Sequence, residues 1–389
     1  MRHINEMKTK MKKRILHSQI HTEVFRSVLA SIIIAIGVVS GATALAESPS
    51  WPVLNGALNA SPEIAAGVGV HTTRVESLEA LQFPNTSEIT TQVEAQIGEY
   101  SDVATGTTVL TKGLTIHATF DSSITGKPNA AAIEAMINRA ILRYKSLFSD
   151  PITIQIRFRY ATTTPNGTPL PAGVAALSLS APYIPSWSTF INALRADGKT
   201  SHDFLANMNL PVSALSPHMV VSSANGRAVG GPTPPYMFAN GTLGNGGPYD
   251  GIVTLNSALP FQFTRPTNVG KLDAQRFTEH EIDEVMGLGS RLGHTFTDLR
   301  PQDLFSWSSA GHRNITSSGP RYFSINGGRT HIVNFNQNPM SDFGDWLSTA
   351  CPQVHPYVQN AVGCPGQSSD VTATSPEGIN LDVIGYDLR

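Results

Sequence analysis

The stretch from Asn129 to Tyr160, "NAAAIEAMINRAILRYKSLFSDPITIQIRFRY", changes its hydrophobic period once, and that change sets the fold class. Up to Ser149, residues Ile133, Met136, Ile137, Ala140, Ile141 and Tyr144 recur at spacings of three and four, which gathers them on one helix face. From Ile152 the period is two. Ile152, Ile154, Ile156 and Phe158 alternate with Thr153, Gln155, Arg157 and Arg159, as in a strand with one buried face. Upstream, "GLTIHATFDSSI" at 113–124 alternates Leu114, Ile116 and Ala118, then reaches Phe120, and reads as a second strand. Strand, long helix and strand predict a layered domain in which a helix covers a sheet.

Further along, "SWSTFINALRADG" and "SHDFLANMNL" read as two short helices, and residues 222–251 as loop. "YDGIVTLNS" reads as a strand at the sheet edge, open to pairing with a peptide backbone or simply a plain edge. "RYFSINGGRTHIVNFN" predicts a hairpin turning at Asn326-Gly327-Gly328. "GINLDVIGYDL" closes the chain as a helix or a strand.

Between these elements lies "QRFTEHEIDEVMG", 275–287, with Asp273 placed to cap a helix that starts at Ala274 and Gly287 placed to stop it. At about 100° per residue, His280, Glu281 and Glu284 fall in one quadrant, while Ile282, Val285 and Met286 cluster opposite. Phe277 is the exception on the polar side. A solvated helix face is the commonplace explanation of such charges. It ordinarily pairs Glu with Lys or Arg four residues away, whereas here Glu279, Glu281, Asp283 and Glu284 crowd together. That much negative charge calls for a cation.

The chain of 389 residues is 40% hydrophobic and 14% charged, with 33 Gly and 26 Pro, a globular and turn-rich composition. A net charge of −2 gives no general attraction to nucleic acid or to an anionic membrane. Residues 1–46 read as a signal peptide. Lys8, Lys10, Lys12, Lys13, Arg14 and Arg26 precede an apolar run that ends at Ala44-Leu45-Ala46, and a signal anchor is the alternative. Residues 47–112 are polar and weakly patterned, either a pro-segment or an N-terminal cap, and 113–389 hold the main domain. Cys351 and Cys364, close in sequence in an exported chain, are expected to form a disulfide contributing about 3 kcal/mol through lost loop entropy.

"TEHEIDEVMGLGSR" resembles the active-site helix of bacterial secreted zincin-type metalloproteases, with His280, Glu281, Ile282 and Gly287 in matching positions. "QDLFSWSSAGHR", "YFSINGG", "NFN", "DFGDW" and "LDVIGYDL" follow in the order seen in that group, so the resemblance spans about Gly113 to Arg389. It implies an α+β, zincin/metzincin-like fold: a mixed twisted sheet, an active-site helix, a loop-rich C-terminal subdomain and a cleft between subdomains. Two departures stand out. Glu284 occupies the place of the second ligand histidine, and Asp345 the place of a third. The resemblance therefore implies a metal site of His280, Glu284 and Asp345 with a fourth position for water, and Glu281 as general base. Zn2+ is the expected metal, with Mn2+ or Fe2+ admitted by the oxygen ligands. The expected function is a secreted endopeptidase acting on protein or peptide substrates. The alternative is a non-catalytic binding protein on the same scaffold. His294, His312, His331, His355 and Asp342 are further candidate ligands, Ser290 stands where a compact third-histidine motif would end, and Trp346 is expected to pack.

Overall fold

A computed structural model describes residues 51–53, 70–75, 113–293, 298–339 and 341–389, all within one compact unit that runs from Pro49 to Arg389. The expected signal peptide and the further candidate ligand His294 lie outside the described residues. The architecture is mixed α+β with several sheets.

The main sheet takes strands from far-apart parts of the chain. They are β1 (Val70–Val75), β2 (Thr115–Phe120), β3 (Thr153–Ala161), β4 (Val174–Ser180), β5 (Gly251–Asn256) and β6 (Val362–Gly363). Their order across the sheet is β6-β1-β4-β5-β3-β2. β2, β3 and β5 are mutually parallel, β4 runs antiparallel to β5, β1 antiparallel to β4, and β6 parallel to β1. Helix α1 (Ala130–Leu147) links β2 to β3. It buries Ile133, Met136, Ile137, Ala140, Ile141 and Tyr144, the stripe read from the sequence. Helices α2 (Trp187–Asp197) and α3 (Ser201–Asn207) follow β4, each with a side-chain cap, from Ser186 and Thr200.

Two strand assignments differ from the sequence expectation. β5 is not an edge: it lies between β3 and β4, and its residues from Gly251 to Leu255 are buried. A continuous apolar run flanked on both sides is the mark of a central strand, which leaves no backbone edge for a peptide. β4, "VAALSLS", is buried along its whole length and is the strand that borders the N-terminal segment. Its small residues carry no alternation, so it gave no period-two signal.

β1 belongs to the weakly patterned 47–112 region, yet it is an internal strand of the sheet. His71 pairs with Ser178 and Thr72 with Leu177, while Arg74 and Val75 meet Val362 and Gly363 of β6.

Helix α4 (Ala274–Met286) starts where expected, its Asp273 cap accepting from Gln275 N, and stops at Gly287, whose φ of 130° suits glycine. A Cβ on Gly287 would also lie 2.9 Å from the Asn225 Cβ. All thirteen residues of α4 are buried, so the charged quadrant does not face water. The helix is enclosed by β4, β5, β1 and α1, and by α5 (Pro376–Val383), the helix formed by the C-terminal segment. Phe277 packs edge-to-face on Phe261 at 5.5 Å and sits directly under Gly363, where any Cβ would collide with its ring. The misfit on the polar quadrant is thus a contact between α4 and the disulfide loop. Beyond α4, four short strands (Ser306–Ser309, His312–Arg313, Tyr322–Phe323 and Val333–Asn334) form a small antiparallel sheet containing the expected hairpin.

Candidate metal centre

The polar quadrant of α4 meets three other parts of the chain. His280 donates from Nδ1 to the Val358 carbonyl at 2.9 Å, because a carbonyl can only accept. That bond fixes the ring, leaving Nε2 to face the carboxylates, in the manner of a ligand histidine oriented by its second nitrogen. Nε2 lies 3.3 Å from Glu284 Oε1, one helical turn away, and 3.5 Å from Asp345 Oδ1. Ser178 of β4 donates to Glu284 Oε2 at 2.7 Å and holds that carboxylate in place. The structure therefore brings together the three groups singled out in the sequence. His280, Glu281 and Glu284 offer donor atoms that all lie within 4.8 Å of one another; Asp345 is not in that group and approaches it at the imidazole.

Asp345 is positioned by its neighbour. Trp346 is fully buried, stacks on Phe323 at 5.7 Å, and donates from Nε1 to Glu377 Oε1 at 3.0 Å. Gln359 N donates to the same carboxylate oxygen at 2.9 Å, and Trp346 N to a Gln359 backbone oxygen at 2.8 Å. Trp346 is a packing residue that locks the Asp345 segment to the loop between Cys351 and Cys364. Those cysteines are bonded. The loop they close supplies both the Val358 carbonyl and Gln359, so it is part of the site as well as a staple.

Gln359 is the residue that sequence reasoning did not find. Its Nε2 lies 3.1 Å from His280 Nε2, 3.1 Å from Asp345 Oδ1 and 3.5 Å from Glu284 Oε1, in contact with all three groups. A lone glutamine has no metal-ligand spacing to notice. The only sequence clue was its position inside a cysteine-bounded loop.

The centre is sealed. His280, Glu281, Glu284 and Gln359 are 0% exposed and Asp345 1%. Burial lowers the His280 pKa, but Asp345, Glu284 and Glu281 outweigh it, and the imidazole is held well above its ordinary value. Asp345 is pushed well up by burial, then by Asp342 and Glu284, against the pull of His280. Asp345 Oδ2 is buried without a hydrogen-bond partner. Fully ionised, two or three carboxylates against one imidazole would leave net negative charge in a buried site, a cost that protons held on Asp345 and His280 offset and that a bound cation would offset in their place. An imidazole nitrogen and carboxylate oxygens are a fitting donor set for Zn2+, Mn2+ or Fe2+. The expected open cleft is not found at these residues. A cavity of about 330 Å3 reaches Val358 and Glu377, the groups that hold His280 and Gln359.

Of the other candidates, Asp342 lies beside Asp345 and acts on it through its charge, and the described histidines lie elsewhere. His312, His331 and His355 are exposed, with His331 stacked on Tyr322 at 4.4 Å and His355 on Tyr357 at 5.6 Å. Asp342 accepts from Gly344 N at 2.6 Å, and Ser290 donates to Asp303 Oδ1 at 2.6 Å. Compared with known proteins, the chain matches no family model, no curated protein and no solved structure.

Proposed function

We propose that the chain is an exported metal-dependent endopeptidase with a zincin-like catalytic domain, and that the arrangement described above is its closed form. One observation carries the reading: on a buried helix that also presents Glu281, His280 Nε2 lies 3.3 Å from Glu284 Oε1 and 3.5 Å from Oδ1 of Asp345, which comes from another segment. His280, Glu284 and Asp345 would hold the cation. When bound, it would acidify a water and stabilise the oxyanion of a tetrahedral intermediate. Glu281 would serve as the general base, taking a proton from the attacking water and passing it to the leaving amine. Val358 and Ser178 orient the two α4 ligands, so the chemistry depends on both β4 and the disulfide loop. The closed form is supported by the burial of the centre and by β1, which pairs along β4 next to the residue that holds Glu284.

The test is metal analysis of the purified chain, together with hydrolysis of unfolded protein by the wild type and by Glu281→Gln. Bound divalent metal and an activity that Glu281→Gln lowers by about 10²–10⁴-fold are expected. Activity that survives the substitution would remove Glu281 from the mechanism. A second reading is a non-catalytic binding protein with a structural cation, and the complete enclosure of the centre favours it. Bound metal without hydrolysis, even after the N-terminal segment is cut, would select that reading.

A further inference from the structure

We infer that Gln359 is a reversible fourth ligand, whose side-chain amide turns to face a cation and keeps water off it. This rests on the metal-centre reading above and concerns how that centre is kept closed. The amide nitrogen lies 3.1 Å from Asp345 Oδ1 and 3.5 Å from Glu284 Oε1, which accept from it, and 3.1 Å from His280 Nε2, which accepts only in the neutral ring and opposes the NH2 group when it carries a proton. Gln359 Oε1, on the other side, is buried and has no hydrogen-bond partner.

An amide whose nitrogen has three polar neighbours and whose buried oxygen has no hydrogen-bond partner is poised between two orientations. With neither cation nor proton at the centre, the NH2 group faces the carboxylates and the bare Nε2, since an oxygen there would meet only other lone pairs. With a divalent cation at the centre the preference reverses: the oxygen becomes a ligand, and the NH2 group would be repelled. Distances allow it. Ligand atoms bonded to zinc at about 2.0–2.1 Å in a tetrahedron stand roughly 3.3 Å apart. The Gln359 terminal group is already 3.1–3.5 Å from each of the other three ligand atoms. A half-turn of the amide therefore exchanges the two atoms without moving the backbone.

The backbone itself is held. Gln359 N donates to Glu377 Oε1, a backbone oxygen of Gln359 accepts from Trp346 N, and the loop is closed by the Cys351–Cys364 bond. Four protein ligands make a closed site, whereas a catalytic zinc keeps one position for water. Hydrolysis then requires Gln359 to leave, and the occupied fourth position is the latch.

The full chain is titrated with Co2+, with affinity and the visible ligand-field spectrum read for wild type, Gln359→Leu and Gln359→Glu. Loss of a neutral oxygen ligand in Gln359→Leu is expected to weaken Co2+ binding about tenfold or more and to shift the visible bands. Gln359→Glu, which keeps an oxygen at the same reach, is expected to bind at least as tightly as wild type with a shifted spectrum. Should Gln359→Leu fail to fold, the spectrum of Gln359→Glu decides alone. Folded variants with wild-type affinity and superimposable spectra would overturn the inference while leaving the metal centre intact. A wild-type chain that takes up no Co2+ would overturn the metal centre and this inference together.

Discussion

At the scale of single residues, the centre depends on buried side chains that position one another through short polar contacts. Ser178 is the clearest case, a small hydroxyl whose one visible task is to donate to Glu284 Oε2. Ser178→Ala leaves that carboxylate oxygen without this donor. Cation affinity is expected to fall about tenfold, as for other groups that orient ligands, with a stability loss of about 1.5–3 kcal/mol in the cation-free protein. Calorimetric titration and chemical denaturation of the same sample check both figures, and an unchanged affinity would mean that Glu284 needs no support from β4. His280, Glu281 and Glu284 stood out in the sequence because imidazole and carboxylate types at helical spacing advertise ligand chemistry, whereas Asp345 was named only through the resemblance of its segment to a third-ligand position. Gln359 was missed, because it enters the site through tertiary contact and belongs to no spacing pattern.

Among elements, α1, β3 and α4 were readable because each carries a one-faced apolar pattern and, for α4, its own stop and start signals. β4 was not, since a strand buried on both faces loses the alternation that would mark it, and β5 was read as a strand but placed at the sheet edge, because its central position is set by tertiary pairing. β1 pairs with residues more than a hundred positions away, which no local pattern encodes. The disulfide loop is the element whose role in the site was under-read. Reduction of Cys351–Cys364 is expected to cost about 3 kcal/mol of stability from released loop entropy, and also to weaken cation binding. The second effect follows because the loop carries both the Val358 carbonyl and Gln359, and titrations with and without reductant measure it. At the opposite end of α1, Asp150 is buried and accepts from Asp387 N at 2.9 Å, and burial, with Asp387 and Asp197, lifts its carboxyl to about 7. An unfolded aspartate titrates near 3.9, so between about pH 4 and 7 the folded chain holds the extra proton. Stability from this group is present below about pH 4 and is lost as pH rises through about 7. Relative to wild type, Asp150→Asn should therefore gain stability steadily across that window, by a few kcal/mol at most on the order of 1.4 per pH unit. Thermal denaturation of the pair at pH 4.5 and 8 tests it, and a pH-independent difference would show that the carboxyl stays ionised.

Over the whole molecule, the main sheet ties the N-terminal segment to the disulfide loop on either side of the candidate centre. β1 runs between β4, which anchors Glu284 through Ser178, and β6, which lies a few residues beyond Gln359. On the closed-form reading, β1 in that slot would help to keep the centre covered. A specific protease site placed between residues 80 and 110, then cut, should let β1 leave. Hydrolysis of an unfolded protein by the metal-loaded chain is expected to rise at least about tenfold, the size of one RT ln 10 step in barrier. No gain on cutting would mean that β1 is a permanent sheet strand with no covering role. The most direct measurement is anomalous diffraction at the zinc edge from crystals grown with Zn2+. A single strong peak within about 2.0–2.2 Å of His280 Nε2 and of carboxylate oxygens from Glu284 and Asp345 is expected. A peak elsewhere, or none at those three side chains, would contradict the metal centre and the protease assignment built on it.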